Sequence, residues 1–160
     1  MKRSIATYAG MLAATYAGIL GLSQSFPSQA LAASQELCYS TGPLENAVPE
    51  RSQTVFLKVL NNSNNNVDAE VLVFSLDGAK HLNFSDEIPV GPQSSNFTTA
   101  SVGDKVQFEI QVELQGAGLE VNPDKKPSVL LGAFGKDENG NLVAAHRVVH
   151  SEFTKIPCVK

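Results

Sequence analysis

Residues 105–115 read KVQFEIQVELQ. Val106, Phe108, Ile110, Val112 and Leu114 take every second position, and Lys105, Gln107, Glu109, Gln111 and Glu113 fall between them. Only an extended chain sends alternate side chains to opposite faces, so this period of two predicts a strand with one side on a core and the other in water. No helical stripe fits the same eleven residues, because apolar positions would then surround the cylinder.

The same period recurs on both sides. In residues 53–60, Val55, Leu57 and Val59 alternate with Phe56 and Leu60, and in 67–76 Val67, Ala69, Val71 and Val73 share a face. The asparagine-rich run 61–66 between them suits a hairpin connection, since Asn tolerates left-handed backbone and bonds its own turn. Asp77-Gly78 signals a tight turn into a strand over 80–84. Ile88-Pro89-Val90 reads as a short strand whose proline places it at a sheet edge. Residues 96–102 and 128–134 are further strands, and 128–135 with 142–149 form a hairpin about Asp137–Asn141. A helical alternative exists for 142–153, because Leu142, Ala145, Val149 and Phe153 also make a stripe that Asn141 could cap. Three valines and the preceding turn favour strand. A last strand is expected over 153–158.

Eight or nine short strands, with turns every eight to twelve residues or so, give an all-β chain folded as a two-sheet antiparallel sandwich. The arrangement resembles an immunoglobulin-like module in the loose sense of two packed sheets. It has no tryptophan, and its cysteines sit at the ends of the domain.

The N-terminus carries the pattern of a secretory signal peptide. Lys2 and Arg3 precede an apolar run over 5–22, no charge appears between Ser4 and Glu36, and Ala30-Leu31-Ala32 supplies small residues at the two positions a signal peptidase accepts. Cleavage is expected after Ala32, with Ala33 as second choice, dividing the chain into 1–32 and a single domain over 33–160. The run is nearly long enough for an uncleaved anchor, but its Ala, Gly, Thr and Tyr make it weakly hydrophobic. Export would place the domain outside the cytoplasm, secreted or in the cell envelope.

Of 12 basic and 16 acidic residues, Lys2 and Arg3 would leave with the leader, giving the remainder a net charge of −6. Bases are scattered apart from Lys125-Lys126, so neither nucleic acid nor, after cleavage, an anionic membrane is an expected partner. Cys38 and Cys158 would close a loop of 120 residues, worth roughly 4–5 kcal/mol in the chain-entropy model. An intramolecular bridge leads, with bridges between chains second and free thiols third.

Few residues suggest chemistry. His146 and His150, with Glu152 nearby, would share a helical face and could hold a metal, but on a strand they stand roughly 13 Å apart. Two exposed sheet histidines are expected instead, and His81 has no local partner. Asp137-x-Asn139-x-Asn141 gathers oxygens as calcium loops do, yet Leu142 and Val148 stand where an EF-hand needs glycine and glutamate. Glu109 and Glu113 lie on the wet face of a strand. There is no G-x-S-x-G and no C-x-x-C, so no catalytic residue, metal site or cofactor is assigned. After the expected leader, Tyr39 and seven phenylalanines, most of them alternating with core positions, leave little to stack on a sugar. Asn61, Asn83 and Asn96 each begin a glycosylation sequon. The expected function is an exported, non-enzymatic binding or structural module with a protein or surface partner. A self-assembling surface or appendage subunit linked through its cysteines comes second. A metal-binding protein or hydrolase using His146 and His150 is the alternative from another class.

Overall fold

A computed structural model describes residues 34–46, 50–119 and 127–158. The expected leader and its cleavage positions Ala32 and Ala33 lie outside the described residues.

The described chain forms nine antiparallel strands: β1 (Gln35–Glu45), β2 (Thr54–Asn61), β3 (Val67–Ser75), β4 (His81–Val90), β5 (Ser94–Ser101), β6 (Gln107–Gly116), β7 (Val129–Lys136), β8 (Leu142–Val149) and β9 (Thr154–Ile156). Five make one sheet in the order β4-β3-β6-β1-β9, and four make the other in the order β5-β2-β7-β8. The two-sheet antiparallel sandwich read from the alternation is therefore the fold. Along β6, Phe108, Ile110, Val112 and Leu114 are all buried, and they face Val55, Leu57, Val59, Leu131 and Ala133 of the second sheet across one core. Val106 lies just before the strand and stays exposed, so the inward row starts one step later than the sequence suggested.

Several local expectations change. The run after β2 does not make a hairpin, because β2 and β3 belong to different sheets and 62–66 carries the chain across. Asn61 makes that corner. Its buried amide donates to the carbonyls of Asn65 (2.8 Å), Val90 (3.1 Å) and Gly91 (3.0 Å), and its oxygen accepts the Ser63 N–H (2.9 Å). The segments 80–84 and 88–90 are one edge strand, β4, with Pro89 at a position the edge tolerates. Residues 142–149 are strand, as favoured; β8 then ends in a single 3-10 turn, His150–Glu152. Only Thr154–Ile156 of the expected last strand pairs, against Cys38–Ser40.

Strand β1 was not legible in the sequence. It pairs β6 on one side and β9 on the other, with an irregularity between Ser40 and Pro43. That pairing brings the cysteines together: Cys38 and Cys158 form a disulfide with Cα atoms 5.3 Å apart, closing a loop of 120 residues within one chain. Both thiols are consumed, which corrects the expectation that terminal cysteines could link subunits. Among the described residues no helix is long and apolar enough to cross a membrane.

Candidate functional site

His146 and His150 carried the expected alternative of a metal site or hydrolase. His146 is not an exposed sheet residue. It is 2% exposed and points inward from β8, correcting the expectation of a solvent-facing pair. Its Nε2 lies 2.6 Å from the carbonyl of Glu45. A carbonyl can only accept, so Nε2 carries the proton and Nδ1 accepts from the hydroxyl of Ser52. Ser52 is itself buried; its N–H bonds the side chain of Asn46, whose amide donates to the carbonyls of Ser52 (3.1 Å) and Lys105 (2.9 Å). The imidazole meets Phe108 edge-on, with ring centroids 5.3 Å apart.

A hydroxyl hydrogen-bonded to an imidazole resembles the start of a nucleophilic pair. Here Ser52 is 0% exposed, so no substrate carbonyl can reach it. The cluster instead ties Asn46 and Ser52 to β8 at the end of the core, and the side-chain polar atoms of Asn46, Ser52 and His146 are all hydrogen-bonded.

His150 belongs to the turn after β8. Its Nδ1 accepts the N–H of Leu131 (3.2 Å), its ring tilts against Tyr39, and burial holds its pKa below the ordinary 6.5. The two histidines therefore serve separate protein partners, and among the described residues no three His, Cys, Asp or Glu side chains converge as a metal would require.

The carboxylates likewise have structural partners. Asp137 accepts the N–H of Asn139 (2.9 Å) and Asn141 (2.8 Å) and the Asn141 amide (3.1 Å), bonds that hold its pKa low. The Asp137-x-Asn139-x-Asn141 run is thus the β7–β8 hairpin turn, with Gly140 at φ 81°. Asp77 accepts the N–H of Val106, just before β6, and of Gln107, its first residue, which also lowers its pKa. Burial would raise Glu109, but donors from Gln111, Lys80 and Ser40 outweigh it and hold the carboxyl down. Glu113 lies four residues further on, on the same outer face. Of the sequon asparagines, Asn61 is fully buried, Asn96 donates to the carbonyl of Pro89, and Asn83 is exposed.

What the sequence did not reveal is the outer face of the four-stranded sheet. Register places Phe97, Lys58, Gly132 and Val149 in one row across β5, β2, β7 and β8, and Thr99, Phe56 and Phe134 in the next. Phe56 and Phe134 stack with centroids 4.9 Å apart and planes within 3°. The Lys136 ammonium sits 4.8 Å over Phe56. Phe97 is 61% exposed, Leu142 55% and Val149 43%. Because Gly132 has no side chain, a hollow of about 420 Å³ opens between Lys58, Phe134, Leu142, Arg147 and Val149. A second, of about 520 Å³, lies between Phe56, Lys58, Ser95, Phe97 and Phe134.

Charge is segregated in the same way. The outward positions of β5, β2, β7 and β8 carry Lys58, Lys136 and Arg147 and no carboxylate. The outward positions of the opposite sheet include Glu36, Asp68, Glu70, Glu87, Glu109 and Glu113, with Lys80 beside Glu109 and Lys155 on the edge strand β9 as bases. In an acidic chain, a cationic and aromatic face is the feature least explained by solubility. The expectation of few accessible aromatics is corrected here: Phe56, Phe97 and Phe134 form one outer cluster. Their signal lay in β2, where residues opposite Val55, Leu57 and Val59 are also apolar or cationic instead of acidic.

No family model matches this chain, and comparisons with curated proteins and with solved structures likewise find no match.

Proposed function

We propose that this chain is an exported, non-enzymatic binding module of the cell surface or extracellular space, and that its working surface is the outer face of β5-β2-β7-β8. The observation that carries the proposal is the concentration of three phenylalanines, two exposed aliphatic residues and three cations, without a carboxylate, on one face of an acidic protein. Such a face offers apolar burial at its centre and attraction to negative charge around it, the combination found at protein recognition surfaces. Export is supported by the leader pattern and by the disulfide, which persists in an oxidising compartment. A non-catalytic role is supported by the internal commitments of Ser52, His146 and Asp137.

The dianionic naphthalene dye bis-ANS is a suitable probe, being both aromatic and acidic. The native protein is expected to enhance its fluorescence, and a Phe97→Ser/Arg147→Glu variant of unchanged melting temperature to lose most of that enhancement. Equal enhancement by both proteins would refute this surface as the binding site. Export is checked by the mass of protein recovered outside the cell, expected to be shortened by the first 32 or 33 residues.

A further inference from the structure

Resting on that binding surface, we propose that its occupant is a second copy of this chain, docked through the acidic outer face of its five-stranded sheet. The two faces complement each other in charge: Lys58, Lys136 and Arg147 on one, Asp68, Glu70, Glu87 and Glu113 on the other. They complement each other in shape as well. Phe97 projects from the cationic face at 61% exposure. The acidic face contains a hollow of about 200 Å³ with apolar walls from Leu72, Phe74, Ile156 and Pro157 and a polar rim from Gln111 and Glu113. An aromatic knob entering an apolar hollow, ringed by opposite charges, is how interface anchors are usually built.

The faces are different and lie on opposite sides of the sandwich, so each copy presents one of each. The contact is heterologous and does not close on itself, which makes the product an open stack of sandwiches and not a symmetric dimer. No bond between chains is needed, in keeping with the cysteines being paired within one chain.

Sedimentation of the purified chain tests this. At low ionic strength the average mass should climb with concentration past the dimer. At about 0.5 M salt, where charges are screened beyond about 4 Å, association should weaken at least about tenfold. A Phe97→Ser/Arg147→Ser variant disables the cationic face, and a Glu70→Gln/Glu113→Gln variant the acidic one, without giving either face the opposite charge; each alone should stay monomeric. Mixed, each retains the face the other has lost, so they should form a one-to-one dimer that grows no further. Monomeric wild-type protein at every concentration would overturn the stacking, and if bis-ANS still bound in that sample the binding surface would stand without it. Self-association of either variant alone, or failure of the mixture to pair while both keep the native melting temperature, would overturn it too.

Discussion

Gly135 offers the most demanding check on how the interior is held. It lies on β7 facing the buried Ser52–His146 pair, and a Cβ built on it would overlap the Ser52 hydroxyl outright and lie 2.9 Å from Ser52 Cβ and 3.1 Å from His146 Cβ. Real Cβ atoms do not approach so closely, so Gly135→Ala must push Ser52 away. The overpacking costs about 1–3 kcal/mol, and losing the Ser52 donor to His146 Nδ1 adds about 1–3 kcal/mol, giving about 2–6 kcal/mol together. Ser52 cannot rotate clear, because its own Cβ is part of the conflict. Urea unfolding of four proteins measures this: wild type, Gly135→Ala, Ser52→Gly and the double variant. Ser52→Gly removes both clashing atoms, so the double variant should be more stable than the sum of the single losses by at least about 1 kcal/mol, the coupling expected of neighbours. Additive losses, or a Gly135→Ala cost within about 0.5 kcal/mol, would refute the packing described at this end of the sandwich.

Replacing both Cys38 and Cys158 by serine releases a loop of 120 residues and should lower stability by up to about 5 kcal/mol, read as a drop in the urea midpoint. Asn61→Ala strands three carbonyls at the β2–β3 corner and should cost about 2–4 kcal/mol, while the isosteric Asn61→Asp should cost more because an ionised carboxylate cannot donate to them. Equal midpoints for Asn61→Asp and wild type would contradict the role given to that amide. Stability should also fall on acidification in two stages. His150 is held below its ordinary 6.5, so its contribution is complete above that pH and is lost as pH falls toward the lowered value. Glu109 is held below its ordinary 4.5, so its contribution is present above that pH and lost as pH falls through the folded value, with Asp77 and Asp137 acting in the same direction. Melting temperatures at neutral, mildly acidic and strongly acidic pH check this, and His150→Gln should flatten the first stage.

The sequence disclosed those strands whose two faces differ in polarity. β6 and β3 sit in the middle of the larger sheet with one wet side, and their alternation was unmistakable. β1 escaped notice because Gly42 at φ 66° and the irregularity before Pro43 break its period, although it is the partner of both β6 and β9. The inter-sheet crossing after β2 was equally hidden: an asparagine-rich run supplies turn chemistry for hairpin and crossing alike, and long-range bonds from Asn61 to Val90 and Gly91 decide between them. His146 was read as exposed because histidine is polar and the strand itself offers it no partner. Its burial depends on Ser52 and Glu45, about a hundred residues earlier in the chain. The cationic aromatic face is legible only once register is known, since its members come from four strands whose order, β5-β2-β7-β8, does not follow the sequence.

Backbone amide shifts recorded by NMR while bis-ANS is titrated into the protein would locate the working surface residue by residue. The largest changes should fall on Phe56, Lys58, Phe97, Phe134, Arg147 and Val149, with β1, β3 and β6 little affected. Changes centred on the acidic sheet, or spread evenly over both, would contradict assignment of binding to the four-stranded face.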